Sequence, residues 1–174
     1  MVYKARTIAY VMTLIAGFVL PAGASAQEYI ACVNEQNPRQ AQRVCLQFLN
    51  SGRAGEAMKL TIYEKLTWAA LQQRDYSTSL LWSEKAIAAR PSASTYYLAG
   101  QALAGLHKFD EAVKMYDAAI KIAPKYVLAF HKRGEAYLEL DDKERAREDF
   151  ETALSFDAGY KPSRIALMRL NQKN

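Results

Sequence analysis

Proline and glycine are scarce in this chain: five and eight among 174 residues. Leu and Ala recur, so the composition leans towards helix. Histidine is scarcer still, at two. Neither His107 nor His131 is read as having a Cys, His or carboxylate partner at metal-ligand spacing such as His-x-x-x-His. No glycine-rich phosphate loop and no Gly-x-Ser-x-Gly occurs, so the sequence holds no convincing catalytic constellation. The carboxylate pairs Asp141–Asp142 and Glu148–Asp149 read as solvation and helix-start charge. The expectation is a non-enzyme with no catalytic residues, no metal and no cofactor. Neither sign of charge dominates: 23 Lys and Arg face 18 Asp and Glu, a formal net charge of +5. Acids and bases alternate, as in "DDKERAREDFE", which suits a solvated face better than a nucleic-acid stripe, so no nucleic-acid partner is expected.

Long apolar runs are lacking too. The longest, "IAYVMTLIAGFVL" at 8–20, falls short of the roughly 20 residues a spanning helix needs. It follows Lys4 and Arg6 and precedes Pro21, Gly23 and the small-residue site "ASA" at 24–26, the pattern of a secretory signal peptide over 1–26. The other reading is an uncleaved membrane anchor. With the signal removed, 21 basic residues face 18 acids, and no stable membrane insertion is expected. The mature chain is then exported, and the only two cysteines, Cys32 and Cys45, both follow the cleavage site. In an oxidising compartment such a pair usually bonds. Chain entropy gives about 3 kcal/mol for the short loop closed. The segment 37–52, "NPRQAQRVCLQFLNSG", reads as a helix with Asn37 as N-cap, Pro38 in its first turn and Gly52 beyond its end. Cys32 is expected to staple an extended start of the mature chain to it. Two other readings exist: a lipid on Cys32, for which "YIAC" is a poor signal, and Cys45 as a nucleophile, which a disulfide excludes.

What the chain does have is a recurrence. "KFDEAVKMYDAAIKIAP" at 108–124 returns at 142–158 as "DKERAREDFETALSFDA". Ala112 falls on Ala146, Tyr116 on Phe150, Ala119 on Ala153 and Ile120 on Leu154. A weaker echo, "DYSTSLLWSEKAIAARP", lies at 75–91. A period of 33–34 residues means stacked units rather than one globular core. Each period reads as two helices. In 92–109, Tyr96, Ala99, Gly100, Leu103 and Leu106 share one face. Ala112, Tyr116, Ala119 and Ile120 point inward from the next helix, which Pro124 ends. Phe130, Gly134 and Tyr137, then Ala146, Phe150, Ala153 and Leu154, repeat the plan. Glycines and alanines leave holes that the rings of Tyr96, Tyr116, Phe130, Tyr137 and Phe150 fill. One helical pair cannot bury both faces of this pattern, whereas a stack of pairs does, as a curved solenoid.

These positions resemble the tetratricopeptide repeat, whose pattern runs large, Leu, Gly, Tyr, Ala, aromatic, Ala, Pro over 34 positions. The unit 127–160 matches at Phe130, Gly134, Tyr137, Ala146, Phe150 and Ala153, and departs at Arg133 and Ala158. The unit 93–126 matches at Tyr96, Gly100, Ala112, Tyr116, Ala119 and Pro124. The unit 60–92 is degenerate, with Thr67 for Gly, Ser79 for Ala and Ser83 where an aromatic is usual. The resemblance implies an all-α fold: an alpha-alpha superhelix, a right-handed solenoid of about three helical hairpins with N- and C-terminal capping helices. The expected organisation is signal peptide 1–26, N-terminal extension and capping helix 27–59, repeat units 60–92, 93–126 and 127–160, and a C-terminal cap 161–174. That cap has Ile165, Met168 and Leu170 available to pack inward. The Cys pair ahead of such repeats also resembles small exported repeat proteins of Gram-negative bacteria.

The resemblance further implies that first helices line a concave groove. By that correspondence the groove residues are Glu64 and Trp68, Tyr97 and Gln101, and His131 and Glu135. Trp68 and Tyr97 suit the anchoring of a peptide or helix, or else packing between units. Glu64 and Trp68 stand where some family members grip a C-terminal carboxylate with Lys and Asn, which argues against that mode. The expectation is a non-catalytic scaffold, most simply periplasmic, holding a protein or peptide partner. The rivals are a structural or assembly component of a cell-envelope complex and a thiol-active enzyme using Cys45.

Overall fold

The computed structural model describes residues 22–172, and among these it is helical with short connections. The signal segment expected over 1–26 lies largely outside the described residues. In chain order the helices are α1 (Ala22–Asn34), α2 (Pro38–Asn50), α3 (Glu56–Gln72), α4 (Tyr76–Ala89), α5 (Ala93–Gly105), α6 (Phe109–Ile122), α7 (Val127–Glu139), α8 (Lys143–Phe156) and α9 (Lys161–Gln172). Consecutive helices pair into hairpins, and each even-numbered helix also meets the next odd-numbered one. In addition α1 touches α3, α3 touches α5 and α5 touches α7. The odd-numbered helices therefore form one layer and the even-numbered helices the other. The core is not one mass but a series of clusters along the stack. One centres on Phe48, Ile62, Leu66 and Trp82, the next on Leu103, Ala112 and Tyr116, and the last on Tyr137, Ala146, Phe150 and Leu170. That is the burial expected of a solenoid, in which each unit covers only its neighbours.

Local chemistry sets the boundaries. Asn37 caps α2, its Oδ1 accepting from the Gln40 N–H at 3.1 Å. Ser92 caps α5 in a reciprocal box with Thr95, which satisfies two amide donors that a helix start leaves orphaned. Asp75 and Asp142 cap α4 and α8 through the amides of Thr78 and Arg145. The three turns inside the repeat hairpins place Arg74, His107 and Asp141 at φ near +57 to +59°. The next amide, that of Asp75, Lys108 or Asp142, reaches back to the carbonyl of Ala70, Leu103 or Tyr137. This is the same left-handed closure three times, and it satisfies carbonyls at the helix end.

Hole and knob alternate as the sequence implies. A Cβ on Gly100 would stand 2.4 Å from the Tyr116 ring, and one on Gly134 would stand 2.7 Å from that of Phe150. In the degenerate unit the same two positions hold Thr67 and Ser83, both fully buried, so a larger inner side chain accompanies a smaller outer one. Gly105 has a partner that the sequence does not announce, the Tyr76 ring of α4.

Three expectations need correction. The segment after the expected cleavage site is not extended: it is helix α1, and it forms a hairpin with α2. Cys32 and Cys45 are bonded across that hairpin, Cα to Cα 4.7 Å, and both are fully buried. Arg53 adds a second tie by pairing with Glu28 of α1. At the other end Leu170 is buried, but Ile165 is 45% exposed and Met168 51%. The strip that α9 turns inward is Ser163, Ala166, Leu167 and Leu170, because small side chains let it lie close against α8 while Ser163 reaches His131 of α7. Asp149, finally, is not a solvated acid. It is 4% exposed and held bidentate by Arg133, Nε to Oδ2 at 2.8 Å and Nη2 to Oδ1 at 2.6 Å. The third arm of Arg133 reaches Asp117 of α6. Arginine at a position where leucine is usual thus clamps α6, α7 and α8 together.

Candidate functional site

The inner layer borders a hollow of about 600 Å³. Its apolar surface comes from Leu71 of α3, Ala104 and Gly105 of α5 and Leu138 of α7, with the rings of Tyr76 and Phe109 entering from the first turns of α4 and α6. Its polar surface is Gln72, Gln101, Lys132, Glu135 and Glu139. A smaller lobe of about 410 Å³ continues past Tyr76, Phe109 and Glu139 to Arg74 and His107. Residues four apart on one helix share a face, so Gln101 with Gly105 and Glu135 with Glu139 form two parallel rows across this surface.

The six residues expected in the groove separate into distinct environments. Gln101 and Glu135 line the hollow. Glu64 and Trp68 line a separate depression of about 360 Å³, bounded by Val33 of α1 and Thr61 and Lys65 of α3. Trp68 is half-buried, and its ring already carries the Lys65 ammonium at 4.1 Å. Burial raises the Glu64 carboxyl against the pull of Arg90, and burial lowers the Lys65 ammonium. Tyr97 is half-buried between two other rings, 6.1 Å from Tyr116 and 5.3 Å from Tyr126. Its hydroxyl accepts from Gln101. It packs against rings of its own repeat unit, 93–126, more than it presents itself.

His131 is a correction. It is 4% exposed, not a groove-lining side chain. α9 and the residue before it cover it: Nδ1 lies 3.1 Å from Ser163 Oγ, and Tyr160 stands edge-on to the imidazole at 5.3 Å. It also has a carboxylate partner one helical turn on, contrary to the motif reading: Nε2 is 3.2 Å from Glu135 Oε1. Burial alone would raise the Glu135 carboxyl, but hydrogen bonds from His131 and Lys132 outweigh it and hold the acid down to about 2. Ser163, His131 and Glu135 thus form a hydrogen-bonded chain like that of a nucleophilic triad. Ser163 is completely buried, however, so this hydroxyl has no exposed face for a substrate. The chain works as a latch joining α9 to the wall of the hollow. Among the described residues no group of three His, Cys, Asp or Glu is placed to hold a metal ion, and no helix is long and apolar enough to cross a membrane.

The residues that the sequence reading misses are Leu71, Leu138 and Glu139, one turn beyond Trp68 and Glu135, together with Tyr76 and Phe109. Tyr76 and Phe109 lie 33 positions apart, and that recurrence is a signal the sequence contains. Both residues start an outer helix, so the pattern passes for turn.

Comparison with known proteins agrees with this architecture. Residues 100–141 match the TPR repeat family and residues 128–160 the tetratricopeptide repeat. A TPR repeat-containing protein of Methanocaldococcus jannaschii is 34% identical over 85 residues, which are 46% of this chain and 27% of that protein. Among solved structures, the second TPR domain of human RPAP3, in complex with the HSP70 peptide SGPTIEEVD, is similar at 25% identity and a TM-score of 0.63, over 67% of this chain and 98% of that one. YrrB, a TPR protein with an unusual peptide-binding site, superposes with a TM-score of 0.73 at 18% identity, over 84% of this chain and 76% of that one. At that identity the likeness to YrrB is one of fold.

Proposed function

We propose that this chain, with tetratricopeptide repeats across residues 100–160, is a non-catalytic interaction module that holds a segment of a partner protein in its hollow. The observation carrying this reading is the hollow itself. Three inner helices and three rings of outer helices, Tyr76, Phe109 and Tyr116, converge on a hollow of about 600 Å³ with mixed apolar and polar walls, and the frame around it is fixed by buried packing. A preformed groove spends little ordering entropy on binding, so a few anchors suffice for affinity. The peptide complex of the similar RPAP3 domain supports the same use of the fold. We further propose that the chain is exported and works in an oxidising compartment, most simply a Gram-negative periplasm. The signal-like pattern at 1–26 and the buried Cys32–Cys45 bond support that placement.

The test is peptide binding by the double variant Leu71→Ser, Leu138→Ser. Both side chains are only half-buried, so helical circular dichroism is expected to persist while peptide affinity falls at least tenfold. Unchanged affinity in a folded variant refutes the groove. A second reading, a component of an envelope complex, is favoured by the apolar side chains exposed near the end of the stack, Phe156, Ile165 and Met168. It predicts stoichiometric co-purification that Met168→Lys abolishes.

A further inference from the structure

The main lobe of the hollow sets two carboxylates, Glu135 and Glu139, against one cation, Lys132. The whole sequence is formally +5, yet α7 turns two carboxylates, Glu135 and Glu139, onto this wall. Their situations differ. Glu135 is satisfied, with Lys132 Nζ at 2.7 Å on one oxygen and His131 Nε2 at 3.2 Å on the other. Glu139 is exposed, and among the described residues no cation lies within ion-pair distance of it. It also lines both lobes of the hollow, in company with the rings of Tyr76 and Phe109. The cations on the same surface are Lys132, already engaged, and Arg74, exposed at the rim of the smaller lobe.

A carboxylate beside aromatic rings, next to apolar Leu71, Ala104 and Leu138, is a favourable environment for one kind of side chain. Ring faces carry negative quadrupole charge and attract ammonium and guanidinium groups. The carboxylate adds a charge-assisted hydrogen bond, bidentate for arginine. The protein already uses such contacts internally: Lys65 sits over Trp68 at 4.1 Å, Lys85 over Trp82 at 4.6 Å and Arg145 over Tyr137 at 4.4 Å. At Glu139 no internal cation among the described residues takes that place. An acidic segment in the main lobe would meet the opposite: an unneutralised carboxylate, and a Lys132 that Glu135 already holds, so that Arg74 of the smaller lobe is left to offset the repulsion.

We propose that the occupant of the hollow is a peptide segment bearing a lysine or arginine next to an apolar side chain, the cation seated against Glu139 between Tyr76 and Phe109 and the apolar group on Leu71 and Leu138. This rests on the groove reading above and names the chemistry of its partner. It sets this chain apart from the RPAP3 domain, whose bound peptide SGPTIEEVD ends in acidic residues.

The experiment is selection of a displayed random 12-residue peptide library on the full chain, followed by fluorescence anisotropy of the selected sequences. These are compared with copies in which citrulline or norleucine replaces arginine or lysine. The proteins compared are the wild type, Glu139→Gln and the Leu71→Ser, Leu138→Ser double variant. The expected result is enrichment of Lys and Arg, with affinity that falls about tenfold on Glu139→Gln and about tenfold on neutralising the peptide's cation. The two losses should not add, and both should shrink as salt rises. Peptides that depend on Leu71 and Leu138, yet show no basic enrichment or ignore Glu139→Gln, overturn the cation inference and leave the groove standing. Failure to select any peptide, or selection of peptides indifferent to all three changes, overturns both.

Discussion

The Phe150 ring occupies the space that a Cβ on Gly134 would need, its Cε1 only 2.7 Å from that point. Phe150 is fully buried, so the ring has nowhere to retreat. Gly134→Ala gains helix propensity in isolation, but an overpacking cost of about 1–3 kcal/mol outweighs that gain. The variant is expected to be less stable in urea denaturation. Restoring the volume with Gly134→Ala, Phe150→Leu should recover part of the loss. A Gly134→Ala variant as stable as the wild type would mean the hairpin tolerates a wider spacing than its geometry implies.

His107 sits at φ +59° in the turn between α5 and α6, a conformation that costs an L-residue about 1 kcal/mol relative to glycine. It is exposed, and Phe109 stands edge-on to it at 5.7 Å. His107→Gly relieves the strain but loosens the unfolded chain. The net expectation is a small gain, a few tenths to about 1 kcal/mol, read as a higher melting temperature. The same change at Arg74 or Asp141 should act alike, because the closure recurs.

Arg133 and Asp149 form a partner-dependent pair. Arg133→Leu restores the side chain usual at that position but leaves Asp149, 4% exposed, without its bidentate partner. Breaking such a pair costs about 3–5 kcal/mol, whereas replacing both partners with apolar residues is often close to neutral. Arg133→Leu should therefore be severely destabilised, and Arg133→Leu, Asp149→Leu much less so. Additive losses in the double-mutant cycle would show that the two side chains act independently.

Glu135 carries a pH signature. Its folded acidity, about 2, lies below the ordinary carboxyl value of 4.5. A depressed acid contributes stability that is complete above its ordinary value and fades as pH falls towards the folded one. The difference in urea midpoint between wild type and Glu135→Gln should shrink steadily as pH falls from the ordinary value towards the folded one. A difference independent of pH across that window would disconnect Glu135 from His131 and Lys132.

The fold is legible where sizes complement each other along the chain. Gly100 with Tyr116 and Gly134 with Phe150 recur at a fixed period, and period is information that a single sequence contains. Helix α1 is not legible, because the small residues at 24–26 match a cleavage site as well as a helix start. The inward strip of α9 misleads for a related reason. Hydrophobicity singles out Ile165 and Met168, but close approach between helices selects Ser163 and Ala166. The burial of His131 depends on Ser163 and Tyr160, some thirty residues on, a contact that no local pattern encodes. Tyr76 and Phe109 escape notice because they belong to outer helices, whereas the repeat pattern points only to inner ones, and Leu71, Leu138 and Glu139 because they lie one turn beyond the positions it names.

The two ends of the stack are secured by different means. A covalent bridge fastens α1 to α2, whereas α9 is held by a short apolar strip and the Ser163–His131 contact. In a one-dimensional array each unit lends stability only to the next. Thermal fraying should therefore be directional, starting at the carboxyl terminus and advancing inward. Amide exchange would read it as a gradient, fastest in α9 and slowest beside the bridge, so that the wall carrying Glu139 breathes before the wall carrying Leu71.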